Sequence, residues 1–99
     1  MADNYASGTW HVKDGRDEDF IERWKEFIRW SRETYPAMLE ARLMRDRGTP
    51  GHYLSVSEWS DPASRDAWKQ DEGFKTRMGA CVELCENMKG ADYDLAASL

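Results

Sequence analysis

The segment YLSVSEWSDP, residues 53–62, decides the fold of this chain. Alternation of side chains predicts a strand over about 52–59, with Tyr53 and Trp59 on one face and Leu54 and Val56 on the other. Apolar side chains on both faces indicate that both sides of this strand are covered. One layer of helices can cover only one of them, so a second layer must pack against the sheet.

A helix start follows this strand directly. Ser60 or Asp61 can accept hydrogen bonds from the free N–H groups of a first helical turn, and Pro62 suits the first helical position, where no donor is needed. We therefore expect a helix to begin near Pro62 and to fold back over the sheet. Trp68 on this helix and Phe74 on the next helical segment then approach the aromatic end of the strand, where a pocket could form.

The N-terminal third of the sequence predicts a strand followed by a long helix. Alternating residues over about 7–13 indicate a first strand, with Trp10 on one face and His11 on the other. A stripe of apolar residues at helical spacing predicts an amphipathic helix over about 17–34. Trp30 lies off this stripe, so we expect it to be exposed or to form an interface.

A hairpin is predicted next. The second strand should span about 38–45, with Leu39, Ala41 and Leu43 on one face. Residues 46–51, DRGTPG, are typical of a turn between two extended segments. The second and third strands should therefore pair.

Another helix and a last strand are predicted towards the C-terminus. An apolar stripe that includes Phe74, Met78, Cys81, Val82 and Cys85 predicts a helix ending near Gly90, and alternation over about 93–98 predicts the last strand. The two cysteines are four residues apart and lack the Cys-x-x-Cys spacing of a zinc site, so we interpret them as small core residues.

The order of these elements predicts an α+β fold of the ferredoxin-like, split βαβ type, with an antiparallel four-stranded sheet and helices on one face. We expect a single domain over 1–99 with its core at about 7–98. Because the third strand is also apolar on its second face, the simplest cover for that face is an identical sheet. The sequence therefore predicts a homodimer in the form of a dimeric α+β barrel.

The composition excludes several classes of protein. Charged residues make up 33% and hydrophobic residues 40% of the 99 residues, which is typical of a globular domain and not of a disordered chain or a membrane span. With Lys+Arg 14 against Asp+Glu 19, the net charge of −5 disfavours nucleic acid as a partner. The first four residues, MADN, show no signal or transit peptide, so we expect a cytoplasmic location.

Histidine is the side chain whose ordinary pKa suits proton transfer near neutral pH. His11 and His52 are therefore the candidate bases, although strand alternation places both on the face opposite Trp10 and Tyr53. Pairing of the first and third strands could bring the two histidines together. Glu58 would lie on the order of 20 Å from them along an extended strand, so we expect no metal site.

Several segments together resemble the antibiotic biosynthesis monooxygenase family of small dimeric α+β barrel proteins. The resemblance covers about residues 7–95 and is carried by TWHVKDG at 9–15, Phe20 and Trp24, LSVSEWS at 54–60, Ala67-Trp68 and the Phe74 helix. The family contains cofactor-independent oxygenases of anthrones and quinols, heme-degrading enzymes, an isomerase of a signalling sugar and members of unknown role. The resemblance thus implies the fold, and the site must indicate the reaction.

The resemblance also implies a pocket role for two tryptophans. Trp59 matches a tryptophan that lines the pocket of the anthrone and quinol oxygenases, and Trp68 matches a pocket tryptophan of the heme-degrading branch. The pocket asparagine and tyrosine of the oxygenases are Ser55 and Arg65 here. The axial histidine of the heme-degrading branch is Met78, which leaves a heme iron without its nitrogen ligand.

A flat aromatic substrate could lie between the predicted sheet face and the helices, although the same side chains could simply fill a core. We predict the catalytic residues Trp59, His11 and His52, and the substrate-binding residues Trp10, Trp24, Phe27, Tyr53, Ser55, Arg65, Trp68, Phe74 and Met78.

The interpretation that follows is a cofactor-independent monooxygenase that uses dioxygen on a small polycyclic or quinol-type aromatic substrate. No cofactor, nucleic acid or membrane is expected as a partner. Two alternatives stay open: a non-catalytic binding protein for an apolar small molecule, and a heme-binding or heme-degrading protein.

Overall fold

Three helices pack on one face of a four-stranded antiparallel sheet in the computed structural model, which describes residues 3–99. The strand order is β2-β3-β1-β4, which confirms the predicted ferredoxin-like α+β fold. No helix within 3–99 is long and apolar enough to cross a membrane. The elements are β1 (Asn4–Val12), α1 (Asp17–Thr34), β2 (Met38–Arg45), β3 (His52–Trp59), α2 (Pro62–Gln70), α3 (Glu72–Val82) and β4 (Cys85–Asp94).

The long helix α1 has the predicted bounds, and its apolar stripe lies against the sheet. Phe20, Trp24, Phe27 and Ser31 are buried at spacings of three or four residues, which is the period of one helix face. The helix ends before Pro36 because the residue preceding a proline is disfavoured in the α region. This stripe supplies one wall of the space between helices and sheet.

The start of α2 confirms the predicted helix signal. Asp61 is the N-cap, and its carboxylate accepts a hydrogen bond from the backbone N–H of Ser64 at 2.7 Å. This hydrogen bond, followed by one from the Ser64 hydroxyl, lowers the pKa of Asp61. Pro62 occupies the first turn of the helix, as the sequence predicts.

The register of β1 and β3 confirms the predicted strand faces. Gly8 lies opposite Ser55, Trp10 opposite Tyr53, and His11 opposite His52. The first two pairs face the helices, whereas the histidine pair lies on the outer face of the sheet. The outer face also carries Leu54, which is 39% exposed.

The last strand was predicted too far along the chain. Helix α3 ends at Val82, and β4 spans Cys85–Asp94, so Gly90 is a strand residue opposite Gly8 and not a helix stop. This segment has a low strand propensity because it contains polar residues and a glycine. It forms a strand because it pairs with β1 along the whole length of β1. The described residues after Asp94 belong to no strand.

Both cysteines are free and buried, which agrees with their interpretation as core residues. Cys81 lies in α3 and Cys85 begins β4 instead of continuing the helix. Burial raises the pKa of the Cys81 thiol to about 12, and it also raises the pKa of Cys85. Neither thiol is a thiolate near neutral pH, so neither is a candidate nucleophile.

The start of β2 corrects one predicted face. The pairing with β3 is irregular between Met38 and Glu40, so the strand does not alternate strictly from its first residue. Met38 is buried, whereas Leu39 is 45% exposed and does not share the inner face with Ala41 and Leu43.

Trp30, predicted to be exposed or to form an interface, is half-buried because its side chain packs on the start of α3. The Arg77 guanidinium lies 4.6 Å from the centroid of the Trp30 ring, and Tyr35 contacts the same ring edge-on. Asp71 accepts hydrogen bonds from the Tyr35 hydroxyl at 2.6 Å and from the backbone N–H of Gly73 at 2.7 Å. These contacts join α3 to the C-terminal half of α1.

We predict that Gly73→Ala destabilises the protein, whereas Gly79→Ala in the same helix does not. A Cβ at Gly73 would overlap the Trp30 ring, with Cε2 at 2.8 Å, and a Cβ at Gly79 would meet nothing within 4 Å. Overpacking should lower the free energy of unfolding by about 2 kcal/mol. Gly79→Ala should raise it by about 0.5–1 kcal/mol through helix propensity. Urea unfolding measures both, and equal effects would contradict the packing of Trp30 on α3.

Candidate functional site

A cavity of about 340 Å³ lies between the inner face of the sheet and the three helices. This volume is at the lower end of the range for small-molecule sites. Its lining is mainly apolar and consists of Ala6, Ser7, Gly8, Trp10, Trp24, Phe27, Ile28, Ala41, Ser55, Val56, Ser57, Trp68, Lys69, Phe74, Met78, Met88, Gly90 and Ala91.

Two glycines form the floor of the cavity. Gly8 on β1 and Gly90 on β4 are directly paired across the sheet. A Cβ at Gly8 would lie 2.9 Å from Trp10 Nε1 and 3.0 Å from both Met88 Cε and Ser55 Oγ. The missing side chain at Gly8 therefore makes room for the Trp10 indole, the Ser55 hydroxyl and the Met88 methyl group.

Aromatic rings form the wall opposite the floor, with Trp68 at the centre. Its ring is nearly parallel to Phe27, with centroids 5.6 Å apart and an interplanar angle of 7°. Phe74 meets Trp68 edge-on at 4.6 Å, and Trp59 lies 5.0 Å from Trp68. Such stacked and edge-on pairs hold flat rings in fixed orientations.

Serine hydroxyls bind the indole N–H groups around the cavity. Trp10 donates to Ser55 at 3.0 Å, and Trp68 donates to Ser31 at 2.8 Å. Ser31 is buried in α1 and donates in turn to the carbonyl oxygen of Phe27 at 2.8 Å. These bonds satisfy both buried indole donors.

Most predicted substrate-binding residues line the cavity. They are Trp10, Trp24, Phe27, Ser55, Trp68, Phe74 and Met78. Their convergence follows from the strand register and from the helical spacing in α1, both of which the sequence predicts.

Two predicted substrate-binding residues lie outside this lining. The Tyr53 hydroxyl donates to Asp17 at 2.6 Å and accepts from Arg45 Nε at 3.1 Å, and burial followed by the Asp17 hydrogen bond raises the pKa of Tyr53. Arg65 is buried and donates to the carbonyl oxygen of Tyr5 at 3.1 Å. Both side chains are therefore engaged by other parts of the fold.

The three residues predicted to be catalytic also lie outside the cavity lining. Trp59 is fully buried behind Trp68 and donates to Ser57 at 2.9 Å. His11 and His52 lie on the outer face of the sheet with ring centroids 4.3 Å apart, and His11 Nδ1 is 3.8 Å from Glu86. Within residues 3–99, no group of three or more His, Cys, Asp or Glu residues could hold a metal ion.

Sequence reasoning missed the contribution of β4 and the only ionisable side chain of the lining. Met88 and Gly90 were missed because the strand was placed too late in the chain. Lys69 lines the cavity from α2 and is hydrogen bonded to Asp92 on β4. The position of Lys69 directly after Trp68 is the only sequence signal that could have indicated that it lines the cavity.

Comparisons with known proteins agree with this architecture. A family model described as antibiotic biosynthesis monooxygenase matches residues 5–79. A comparison with curated protein sequences gives no match.

Three similar solved structures share the fold over almost the whole chain. A point mutant of SnoaB, a cofactor-independent oxygenase from Streptomyces nogalater, has a TM-score of 0.87 at 15% identity and covers 100% of this chain and 98% of its own. A candidate antibiotic biosynthesis monooxygenase from Caulobacter crescentus CB15 has a TM-score of 0.85 at 13% identity, with 98% and 92% covered. A conserved protein from Methanosarcina mazei Go1 has a TM-score of 0.83 at 17% identity, with 96% and 94% covered.

We predict that Gly8→Ala weakens the binding of a planar aromatic probe, whereas Gly90→Ala does not. The new methyl group at Gly8 would enter the floor beside Trp10 and Ser55, and a Cβ at Gly90 would meet nothing closer than 3.7 Å. Loss of fit at one floor position should weaken binding by about tenfold. The dissociation constant of naphthalene is measured by the quenching of tryptophan fluorescence, and thermal unfolding checks that both variants are folded. Equal affinities would show that the probe does not bind on this floor.

Proposed function

The chain belongs to the antibiotic biosynthesis monooxygenase family, and on this premise we propose that it is a cofactor-independent monooxygenase of a small polycyclic aromatic or quinol-type substrate. The observation that carries the proposal is the apolar, aromatic-walled cavity of about 340 Å³. SnoaB, whose fold is similar, is described as a cofactor-independent oxygenase.

The shape and polarity of the cavity favour a flat aromatic ligand. Phe27, Trp68 and Phe74 present ring faces and edges that match the stacking geometry of fused rings. Gly8 and Gly90 add no side chain of their own to this lining. A ligand with many polar groups would lose its hydration in this space without gaining enough hydrogen bonds.

The proposed reaction needs no electrons from a cofactor because the substrate supplies all of them. For anthrone as a probe, the methylene carbon loses two hydrogens and gains one oxygen atom, and the second atom of dioxygen leaves as water. The products are anthraquinone and water, so atoms and electrons balance. The protein would bind the ring system, exclude water and favour the anionic form of the substrate that reacts with dioxygen.

The proton acceptor in this proposal is water at the cavity mouth. His11 and His52 lie on the opposite face of the sheet, so neither can reach a substrate in the cavity. Trp59 would act through Trp68, which it supports from behind, and is therefore a positioning residue. The substrate must then be acidic enough to ionise with little help, which is a property of anthrones and quinols.

A non-catalytic binding protein is the second candidate. The observation that favours it is the state of Lys69, the ionisable side chain of the lining, which is already hydrogen bonded to Asp92. Such a cavity could hold an apolar molecule without activating it. The heme-degrading alternative gains no support from the lining, which contains Met78 and no histidine.

We also propose that two copies of the chain pair through the outer faces of their sheets. Tyr5, Leu54, Val56 and Tyr93 line a shallow depression on this face, and Leu54 and Tyr93 are 39% and 57% exposed. Large apolar side chains grouped on one sheet face are typical of an interface. An identical sheet is the partner with the matching chemistry.

For the activity, we predict that the protein consumes one dioxygen per anthrone and releases anthraquinone without added cofactor. An oxygen electrode and chromatography of the product measure the stoichiometry, and ¹⁸O₂ should place one labelled atom in the quinone. Gly8→Ala should slow the reaction by about tenfold. Binding of anthrone and related quinols without oxygen uptake would favour the binding protein, and no binding would reject both.

For the assembly, we predict that Leu54→Glu converts a dimer at micromolar concentration into a folded monomer. A carboxylate at the centre of the outer face would be buried against its own copy, which is unfavourable without a partner charge. Thr76→Glu on the exposed side of α3 is the matched control and should remain dimeric. Sedimentation velocity measures both. A folded wild-type monomer would contradict the sheet-to-sheet pairing.

A further inference from the structure

Two histidines lie side by side on the outer face of the sheet. His11 on β1 is directly opposite His52 on β3, and the centroids of their rings are 4.3 Å apart. Both side chains are half-buried. Imidazole is the side-chain group that takes up a proton when the pH falls from neutral to about 6. Two imidazolium ions at this distance repel each other, so a second proton on the pair is unfavourable unless a negative charge lies beside it.

A carboxylate lies beside only one member of this pair. The pairing of β1 with β4 is irregular after His11, which is opposite Asn87, whereas Val12 is opposite Cys85. Glu86 is therefore the extra residue of a β-bulge. Its carboxylate oxygen lies 3.8 Å from Nδ1 of His11, whereas His52 forms no ion pair within residues 3–99. A proton on His11 thus has a counter-charge, and a proton on His52 has none.

Other charged side chains border the depressions on both sides of the pair. Together with Glu86 they are Asp14, Asp17, Arg45, Asp46 and Arg47. Asp17 and Arg45 hold the Tyr53 hydroxyl between them. The Asp46 carboxylate accepts a hydrogen bond from a backbone N–H of its own turn. In the part of the chain that the structure describes, Glu86 is the one carboxylate within 4 Å of a nitrogen atom of the pair.

The pair adjoins the face on which we propose that two copies meet. His52 and Leu54 point to the same face of β3, and both border one depression together with Met44. Met44 and Leu54 are 45% and 39% exposed. Leu54 also borders the depression that contains Tyr93. A second sheet that covers Leu54 from both sides therefore also removes the neighbouring histidines from water.

We propose that the His11–His52 pair makes the association of two copies dependent on pH, with His52 as the member whose protonation opposes pairing. This inference rests on the sheet-to-sheet pairing proposed above and adds its regulation. An uncharged pair can be covered by an identical sheet, whereas burial of a proton on His52 without a counter-charge is unfavourable. The free chain then binds more protons than the paired chain, so a fall in pH favours the free chain.

The experiment measures the dissociation constant of the dimer at pH 7.5 and pH 5.5 by sedimentation equilibrium at constant ionic strength. For the wild type, the constant should rise by about tenfold at the lower pH, because each copy must release a proton before it pairs. His52→Gln keeps a polar side chain and cannot take up this proton, so its constant should change by less than about twofold. Circular dichroism at both pH values checks that each protein is folded.

His11→Gln is the matched control because it makes the same chemical change in the other member of the pair. It leaves His52 able to take up its proton, so its dissociation constant should still rise at pH 5.5 by about tenfold. Equal pH dependence of the wild type and His52→Gln would overturn the inference and leave the pairing in place.

Two other outcomes would also contradict the inference. Tighter pairing of the wild type at pH 5.5 would overturn it, because carboxylates of the second copy would then face the histidines. A wild type that is a folded monomer at pH 7.5 would overturn it together with the sheet-to-sheet pairing. The two failures are therefore distinguished by the wild type at neutral pH.

Discussion

The cavity depends on the requirement that a buried indole N–H find an acceptor. Serine hydroxyls provide it three times: Ser55 for Trp10, Ser57 for Trp59 and Ser31 for Trp68. Each bond is worth only about 1 kcal/mol, but leaving the donor unpaired would cost more. Because the three indoles are fixed by small side chains, large rings stand around an open space instead of collapsing into it.

The Trp68 side chain of α2 contacts both α1 and α3. Ser31 accepts from Trp68 on α2 and donates to the carbonyl oxygen of Phe27 one turn earlier in α1, so the ring of Trp68 is held parallel to that of Phe27. Phe74 on α3 then closes against the edge of Trp68. A hydrogen bond and ring contacts therefore hold the wall of the cavity at its centre, and Gly8 and Gly90 pair across β1 and β4 in the floor.

The location of the ionisable side chains helps to distinguish an enzyme from a binding protein. Lys69 is the one ionisable side chain of the cavity lining, and it is held by Asp92. The two histidines pair on the other side of the sheet, where a base could serve an interface but not a ligand in the cavity. In the proposed function, the reaction would therefore rely on the acidity of the substrate.

The sequence by itself determined the elements whose signals are local. The bounds of α1, the capped start of α2 at Pro62, and the inward faces of Trp10 and Ser55 follow from periods of 3.6 and 2 and from capping chemistry, which act over a few residues. These signals were enough to bring together Trp24, Phe27, Trp68, Phe74 and Met78.

Only the tertiary structure decided which partner each side chain meets. Cys85–Asp94 forms a strand because it pairs with β1, about eighty residues earlier, although its own residues favour no strand. Trp59 lies behind Trp68 and Tyr53 binds Asp17, and neither outcome has a periodic signal. Periodicity predicts which face of a helix or strand a side chain occupies. How far that side chain is buried, and which groups it hydrogen bonds, depend on residues that are distant in sequence and that only packing brings close.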